Sequence, residues 1–204
     1  MLARITAALA AGLLLAACGA SADETAGKKS DTQPQKSEAP KPRVFKTQGS
    51  VAAGGKTIRF KTIAGETFLL DDKGAPTASI FSTSYIADGY NDPRTRPVAF
   101  IFNGGPGSAS LWLHMGMFGP KRVRLPADPF NGGPKDDGAA PFVIEPNPQS
   151  ILDVADIVFI DPVGTGWSRT LGEAKTDDYW GVKQDAQSIR EFIRRWLVEH
   201  QRWN

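Results

Sequence analysis

Cysteine is nearly absent from this 204-residue sequence, and its scarcity excludes several architectures at once. Cys18 stands alone, so no intrachain disulfide can form and no cysteine-based zinc site can be built. Histidine is almost as rare. His114 and His200 lie far apart, at no spacing suited to a metal. An excess of one charge is also missing. The 24 basic and 22 acidic residues leave a formal charge of +2, and the basic residues are not gathered on one helix. That balance removes the electrostatic footprint of a nucleic-acid-binding protein. No apolar run approaches the roughly 20 residues needed to span a bilayer, and no internal repeat is present.

What is present begins with an export signal. Arg4 supplies a positive start, and Ile5 to Leu15 is apolar except for Thr6 and Gly12. The run has the length of a signal-peptide core. It ends in Leu15-Ala16-Ala17-Cys18, which resembles the bacterial lipobox, whose cysteine takes the lipid. This predicts a signal peptide over residues 1–18 and lipidation of Cys18. Cleavage after Ala20-Ser21-Ala22, with Cys18 discarded, is the competing outcome; both export the protein. Residues 19–43 hold no large apolar side chain, so burial cannot offset their ordering entropy, and the segment is predicted to be a disordered tether.

Residues 44–204 carry the folding information. Lys56 to Thr62 alternates, with Ile58 and Phe60 on one face, after a Gly54-Gly55 turn. Glu66 to Leu70, following Gly65, and Ile80 to Ala87 are further strands, predicted to be antiparallel and at a sheet edge. Pro97 to Phe102 (PVAFIF) is a continuous apolar run, the pattern of a strand buried on both faces of an α/β sheet. Ala109 to Phe118 is predicted as a helix, and Arg124 to Ser150, rich in proline, as a long surface excursion. Asp156 to Ile160 (DIVFI) is a second buried strand. Trp180 to Trp203 is the clearest helix, with Val182, Ala186, Ile189, Phe192, Ile193, Trp196 and Leu197 at three- and four-residue spacing. Strand, helix, strand, helix in this order argues for a mixed α/β sheet in which antiparallel edge strands precede parallel ones.

The most informative stretch, Asn103-Gly104-Gly105-Pro106-Gly107-Ser108, joins a strand to a helix. Acyl transfer develops negative charge on an oxygen, and preorganised backbone N–H groups stabilise it. A glycine loop after an early strand supplies one such donor in α/β hydrolases, because a Cβ would block close approach. By position, the Gly105 N–H is the expected oxyanion donor. The spacing fits neither G-x-G-x-x-G nor G-x-x-x-x-G-K-[ST], which argues against a nucleotide cradle.

Four blocks extend this reading: RPVAFIFNGGPGSAS, FGP at Phe118 to Pro120, NPQS at Asn147 to Ser150, and DIVFIDPVGTGWSR. In order and approximate spacing they resemble the serine carboxypeptidase family, over roughly Ile80 to Asn204 and most closely in the style of bacterial exported members. The resemblance implies the N-terminal part of an α/β-hydrolase fold, a Ser-Asp-His triad, and removal of C-terminal residues from peptides. It implies that Asn103 and Gly104 help bind substrate, with Asn103 on the terminal carboxylate, and that Gly105 supplies the oxyanion N–H. Asp161, Gly164, Thr165, Gly166 and Trp167 are implied to line the cleft. The partner implied is a peptide, with the membrane added through Cys18; no cofactor or metal is implied. Two positions depart from well-studied members: Ser108 replaces a cysteine, and Met117 replaces a glutamate that grips the carboxylate.

No G-x-S-x-G elbow occurs in these 204 residues. In this fold serine, aspartate and histidine follow in that order, so all three are expected after Asn204. His114, beside Leu111 and Met115 at helical spacing, is expected to be packed, and His200 to be solvated. The expectation is a sequence fragment of an exported enzyme, inactive alone. The alternatives are a non-catalytic peptide-binding lipoprotein, or another α/β-hydrolase peptidase, for which histidine is typical where Asn103 stands.

Overall fold

The computed structural model describes residues 41–90, 92–104, 107–124 and 142–203. The signal peptide, Cys18, nearly all of the predicted tether, Gly105 and most of the 124–150 excursion lie outside the described residues.

Three long strands open the fold: β1 (Val44–Ala53), β2 (Lys56–Leu70) and β3 (Pro76–Ala87), joined by tight turns into an antiparallel meander. β2 is one strand of 15 residues, not the two expected from the sequence. Gly65 does not break it. A side chain there would meet Arg43 O at 2.6 Å and the Val44 Cα at 2.9 Å, so the glycine permits close approach of β1. β4 (Val98–Ile101) and β7 (Asp156–Ile160) complete the main sheet in the order β1-β2-β3-β7-β4, and β8 (Arg169–Thr170) pairs with the start of β3. β4 and β7 run parallel; every other pairing in the sheet is antiparallel. β5 (Lys121–Val123) and β6 (Ile144–Pro146) form a separate two-stranded ribbon, so the later part of the expected excursion is ordered against the residues just before it.

Every residue of β7 is buried, as its unbroken apolar run requires. Ile157 and Phe159 join Val51, Ile58, Phe60 and Leu152 on one face of the sheet. Val158 and Ile160 join Ile80, Ile189, Phe192 and Trp196 on the other. β4 was expected to be equally enclosed, but its four residues are only half buried. The physical reason is its place at the end of the strand order, with a partner on one side only among the described residues.

Between the two parallel strands the chain makes one short helical turn, α1 (Leu111–Leu113), followed by a π turn over His114–Phe118 closed by Gly119 N to His114 O at 3.0 Å. This replaces the longer helix expected over 109–118. Such wide turns occur often at functional sites. α2 (Val182–Glu199) covers one face of the sheet through Ile189, Phe192 and Trp196. Val182, assigned to its apolar stripe from spacing, is 94% exposed because it opens the helix beyond the sheet's cover. His200 is not simply solvated: its ring stacks on Trp196 at 4.1 Å. No helix among the described residues is long and apolar enough to cross a membrane.

Candidate functional site

Because β4 and β7 are parallel neighbours, their C-terminal ends deliver two loops to the same edge of the sheet. Ligands of open α/β sheets bind in that crevice. The loop after β4 begins with Phe102 and Asn103, and the turn after β7 begins with Asp161.

Asp161 ties the two together. One carboxylate oxygen accepts the Ser110 N–H at 2.9 Å, and the other accepts the Trp167 N–H at 3.2 Å. Ser168 Oγ donates to Asp161 O at 2.6 Å and accepts the Phe81 N–H at 2.8 Å, while Ser110 Oγ donates to Ile160 O. The glycine at 166 is demanded by this clamp. Its φ is +47°, and a methyl group there would overlap Asp161 Oδ2. Ser110 and Ser168 are both buried, and each spends its hydroxyl on a backbone carbonyl as a brace.

Asn103 closes its own loop, its Nδ2 donating to Ala109 O at 2.8 Å and to Ser108 Oγ at 3.2 Å. Gly104 is exposed, with open space where a side chain would stand. Thr165 is buried and spends its hydroxyl on Pro162 O at 2.8 Å, so within the structure it shapes the turn. Gly164, with φ +82°, lies under Thr176 and Trp180, away from the cavity described next. The NPQS block acts as a brace as well. Buried Asn147 donates to Met117 O at 2.7 Å and to Gly119 O at 2.8 Å, and Ser150 Oγ donates to Phe118 O at 2.9 Å. Met117 itself is exposed.

A cavity of about 340 Å³ opens beside the clamp, lined by Asp161, Gly166 and Trp167 from the second loop and by Ser110, Leu111 and His114 from the first. Its floor comes from Phe81 and Thr83 of β3 and Phe159 of β7. Trp167, 70% exposed, stands 6.5 Å from Phe81. His114 stacks on Phe159 at 4.3 Å, and its Nε2 lies 2.8 Å from the Tyr85 hydroxyl. Burial pushes the imidazole pKa down to about 4 and the phenol up to about 12, so both groups are neutral across the physiological range. Among the described residues, no cluster of three or more histidine, cysteine, aspartate or glutamate side chains is placed to hold a metal.

The structure thus joins Asp161, Gly166 and Trp167 at one cavity and leaves Gly164 and Thr165 in the supporting turn. Sequence reasoning missed Phe81, Thr83 and Tyr85. Their two-residue alternation along β3 was the available signal, since it sets them on one face of the sheet.

The sequence profile of the serine carboxypeptidase family matches residues 70–204, well over half of the chain. Among individual proteins, serine carboxypeptidase-like 5 of Arabidopsis thaliana is 30% identical over 123 residues, covering 59% of this chain and 25% of that protein. Serine carboxypeptidase-like 8 of the same plant is 33% identical over 118 residues, covering 57% and 24% respectively. The chain therefore spans about a quarter of the length of these curated relatives. In fold it is similar to Kex1(delta)p, a prohormone-processing carboxypeptidase from Saccharomyces cerevisiae, with a TM-score of 0.51 at 22% identity over 68% of this chain and 28% of that one. The profile match, falling on a chain whose parallel strands deliver two loops to one edge of the sheet, places this protein in the serine carboxypeptidase family, with an α/β-hydrolase fold.

Proposed function

We propose that this chain forms the oxyanion and substrate-cleft portion of an exported serine carboxypeptidase, with the Ser-Asp-His triad supplied by sequence after Asn204. The observation that carries this reading is the Asp161 clamp. It fixes the glycine loop after β4 against the turn after β7, at the sheet edge where α/β enzymes bind ligands.

In this reading the serine attacks the peptide carbonyl, the histidine takes its proton, and the carbonyl oxygen becomes an oxyanion. The Gly105 N–H stabilises that charge together with the N–H after the nucleophile. Pro106 has no N–H to offer and stiffens the loop instead. The histidine then protonates the leaving amine, and water hydrolyses the acyl-enzyme. Asn103 and Gly104 bind the substrate end, and Trp167 walls the cleft. Asp161, Gly164, Thr165 and Gly166 hold that wall in place, the aspartate by accepting two backbone N–H groups. Cys18 carries the lipid that keeps the enzyme at the envelope.

Reading the gene beyond codon 204 tests the proposal. A G-x-S-x-G elbow within about 30 residues is expected, because the nucleophile follows the next strand of the fold. A stop codon with no homologous frame downstream defeats it. The 204-residue chain alone is expected to show no peptide turnover, since losing a nucleophile costs on the order of 10⁶ in rate.

A further inference from the structure

The register of the sheet fixes where the chain enters the domain. Val44 pairs with Gly65, Gly65 with Ser82, and Ser82 with Ile160, the last residue of β7. Phe159 in turn pairs with Ile101, the last residue of β4. The start of β1 is therefore level with the C-terminal ends of β4 and β7, at the edge of the sheet that carries the two site loops. The chain before Val44 holds the domain by its site-bearing edge.

That edge has an apolar rim. Beside the first cavity lies a second hollow of about 210 Å³, lined by Arg43, Phe45, Glu66, Phe81 and Trp167. Phe81 and Trp167 belong to both linings, so Phe45 on one side and Leu111 on the other flank one continuous surface. Phe45, Leu111 and Trp167 are each more than half exposed, as is Trp112, next along α1. The carboxylates within this surface are engaged: Glu66 is held by Arg43 at 2.8 Å, and Asp161 accepts its two backbone N–H groups. Exposed large apolar side chains grouped in this way mark a contact surface.

Exposure alone does not name the partner, since Trp203 is also more than half exposed at the opposite edge, beside the Arg202–Asp156 pair. The point of entry names it. A flexible chain the length of residues 19–43 has an r.m.s. span of roughly 25–30 Å, at about 5–6 Å times √n. A lipid on Cys18 thus keeps the rim, and not the Trp203 edge, beside the membrane. Tryptophan rings are at home at the level of lipid headgroups, where an apolar body and a polar N–H are both served.

We propose that the rim formed by Phe45, Leu111, Trp112 and Trp167 rests on the lipid surface to which Cys18 anchors the chain, so that the site-bearing edge faces the membrane. The docking rests on the anchor at Cys18 and is independent of the peptidase chemistry.

The test uses the lipidated full-length protein in phosphatidylcholine vesicles, with and without brominated acyl chains, which quench tryptophan on contact. Parent emission is expected to fall in the brominated vesicles. Trp112→Phe and Trp167→Phe are each expected to lose part of that quenching and the double variant most of it, whereas Trp203→Phe keeps it in full. Phe45→Asp, at an exposed position, is expected to reduce quenching while its circular dichroism stays that of the parent. No quenching, quenching carried by Trp203, or quenching indifferent to Phe45→Asp each overturns the assignment. The first result is also the one given by a rim covered by a second copy or by later parts of the chain. A parent that takes up no labelled palmitate removes the anchor and the docking together; a labelled parent without quenching removes the docking alone. The peptidase reading stands or falls separately, on the sequence after codon 204.

Discussion

Asp156 and Arg202 meet at 2.7 Å with both side chains almost wholly buried, pinning the chain after α2 to the first residue of β7. The same carboxylate takes Arg96 Nε at 2.8 Å and the Ala87 N–H at 3.0 Å. Arg96 also donates to Leu152 O and lies over the Tyr90 ring at 4.4 Å, while Arg202 donates to Arg96 O. One buried aspartate thus joins the end of β3, the approach to β4, the start of β7 and the exit of α2. Each guanidinium has backbone oxygen to complete its bonding, which is the condition under which buried charge is tolerated.

Removal of the aspartate leaves two buried cations facing each other. Asp156→Ala is expected to destabilise the domain by about 3–5 kcal/mol, the cost of breaking a buried pair. Urea denaturation of the two proteins side by side measures it. A loss within the range of an ordinary surface substitution shows that the network is dispensable.

Gly166 offers a sharper contrast with a second glycine. An alanine at 166 must adopt a φ near +47° and push into Asp161 Oδ2, whereas an alanine at 104 meets nothing within 4 Å. Gly166→Ala is expected to cost about 1–3 kcal/mol through backbone strain and the displaced carboxylate. Gly104→Ala is expected to change stability by less than about 1 kcal/mol. Thermal melts of both variants check the ranking, and equal losses contradict the clamp.

These two networks mark the border of what sequence patterns reveal. β7 was legible because its four consecutive apolar residues, Ile157–Ile160, are each enclosed. The body of α2 was legible because Ile189, Phe192 and Trp196 recur at helical spacing and are buried. The DPVGTGWS block pointed to part of the cavity lining, through Asp161, Gly166 and Trp167, whereas no described residue of NGGPGS lines that cavity. Gly65 misled the reading, because a glycine chosen for close strand approach looks like one chosen for a turn. Val182 misled it as well, since spacing fixes a helix face but not how far a sheet extends beneath it. The Tyr85–His114 pair is a contact between residues 29 apart, invisible to any local period. The roles of Thr165 and Asn147 likewise depend on which carbonyl each reaches.

The buried histidine gives the fold a predictable response to acid. His114 has a folded pKa of about 4 against an ordinary 6.5, and the first cause is burial. The unfolded chain therefore takes up a proton below pH 6.5 that the folded chain refuses until about pH 4. Its stability contribution is complete above pH 6.5 and is lost as pH falls through that window. The full loss is about 3 kcal/mol by the usual conversion of a pKa difference. Tyr85 does not oppose it, being neutral throughout. Glu191, held down to about 2 mainly by its hydrogen bond to Arg194, adds its own loss only below pH 4.5. Melting temperatures from pH 7 to 4.5 are expected to fall less steeply in His114→Phe than in the parent, and parallel curves refute the assignment.

The proposed anchoring at the envelope would depend on one sulfur atom. Cys18 is the only thiol in the chain and follows Leu15-Ala16-Ala17 at the end of the apolar run, so no second cysteine can take its place. A lipid chain contributes about 0.8 kcal/mol per buried CH₂, and stable anchoring takes more than one chain. The two acyl chains of a lipoprotein satisfy that requirement. Expressed in a bacterium with the lipoprotein pathway, the parent protein is expected to incorporate labelled palmitate and to sediment with membranes. Cys18→Ser is expected to lose both properties while the domain that begins near Val44 keeps its melting temperature. If the parent takes up no label, the lipid anchor is discarded; sedimentation of both proteins with membranes then indicates a retained leader, and sedimentation of neither indicates cleavage after Ala22.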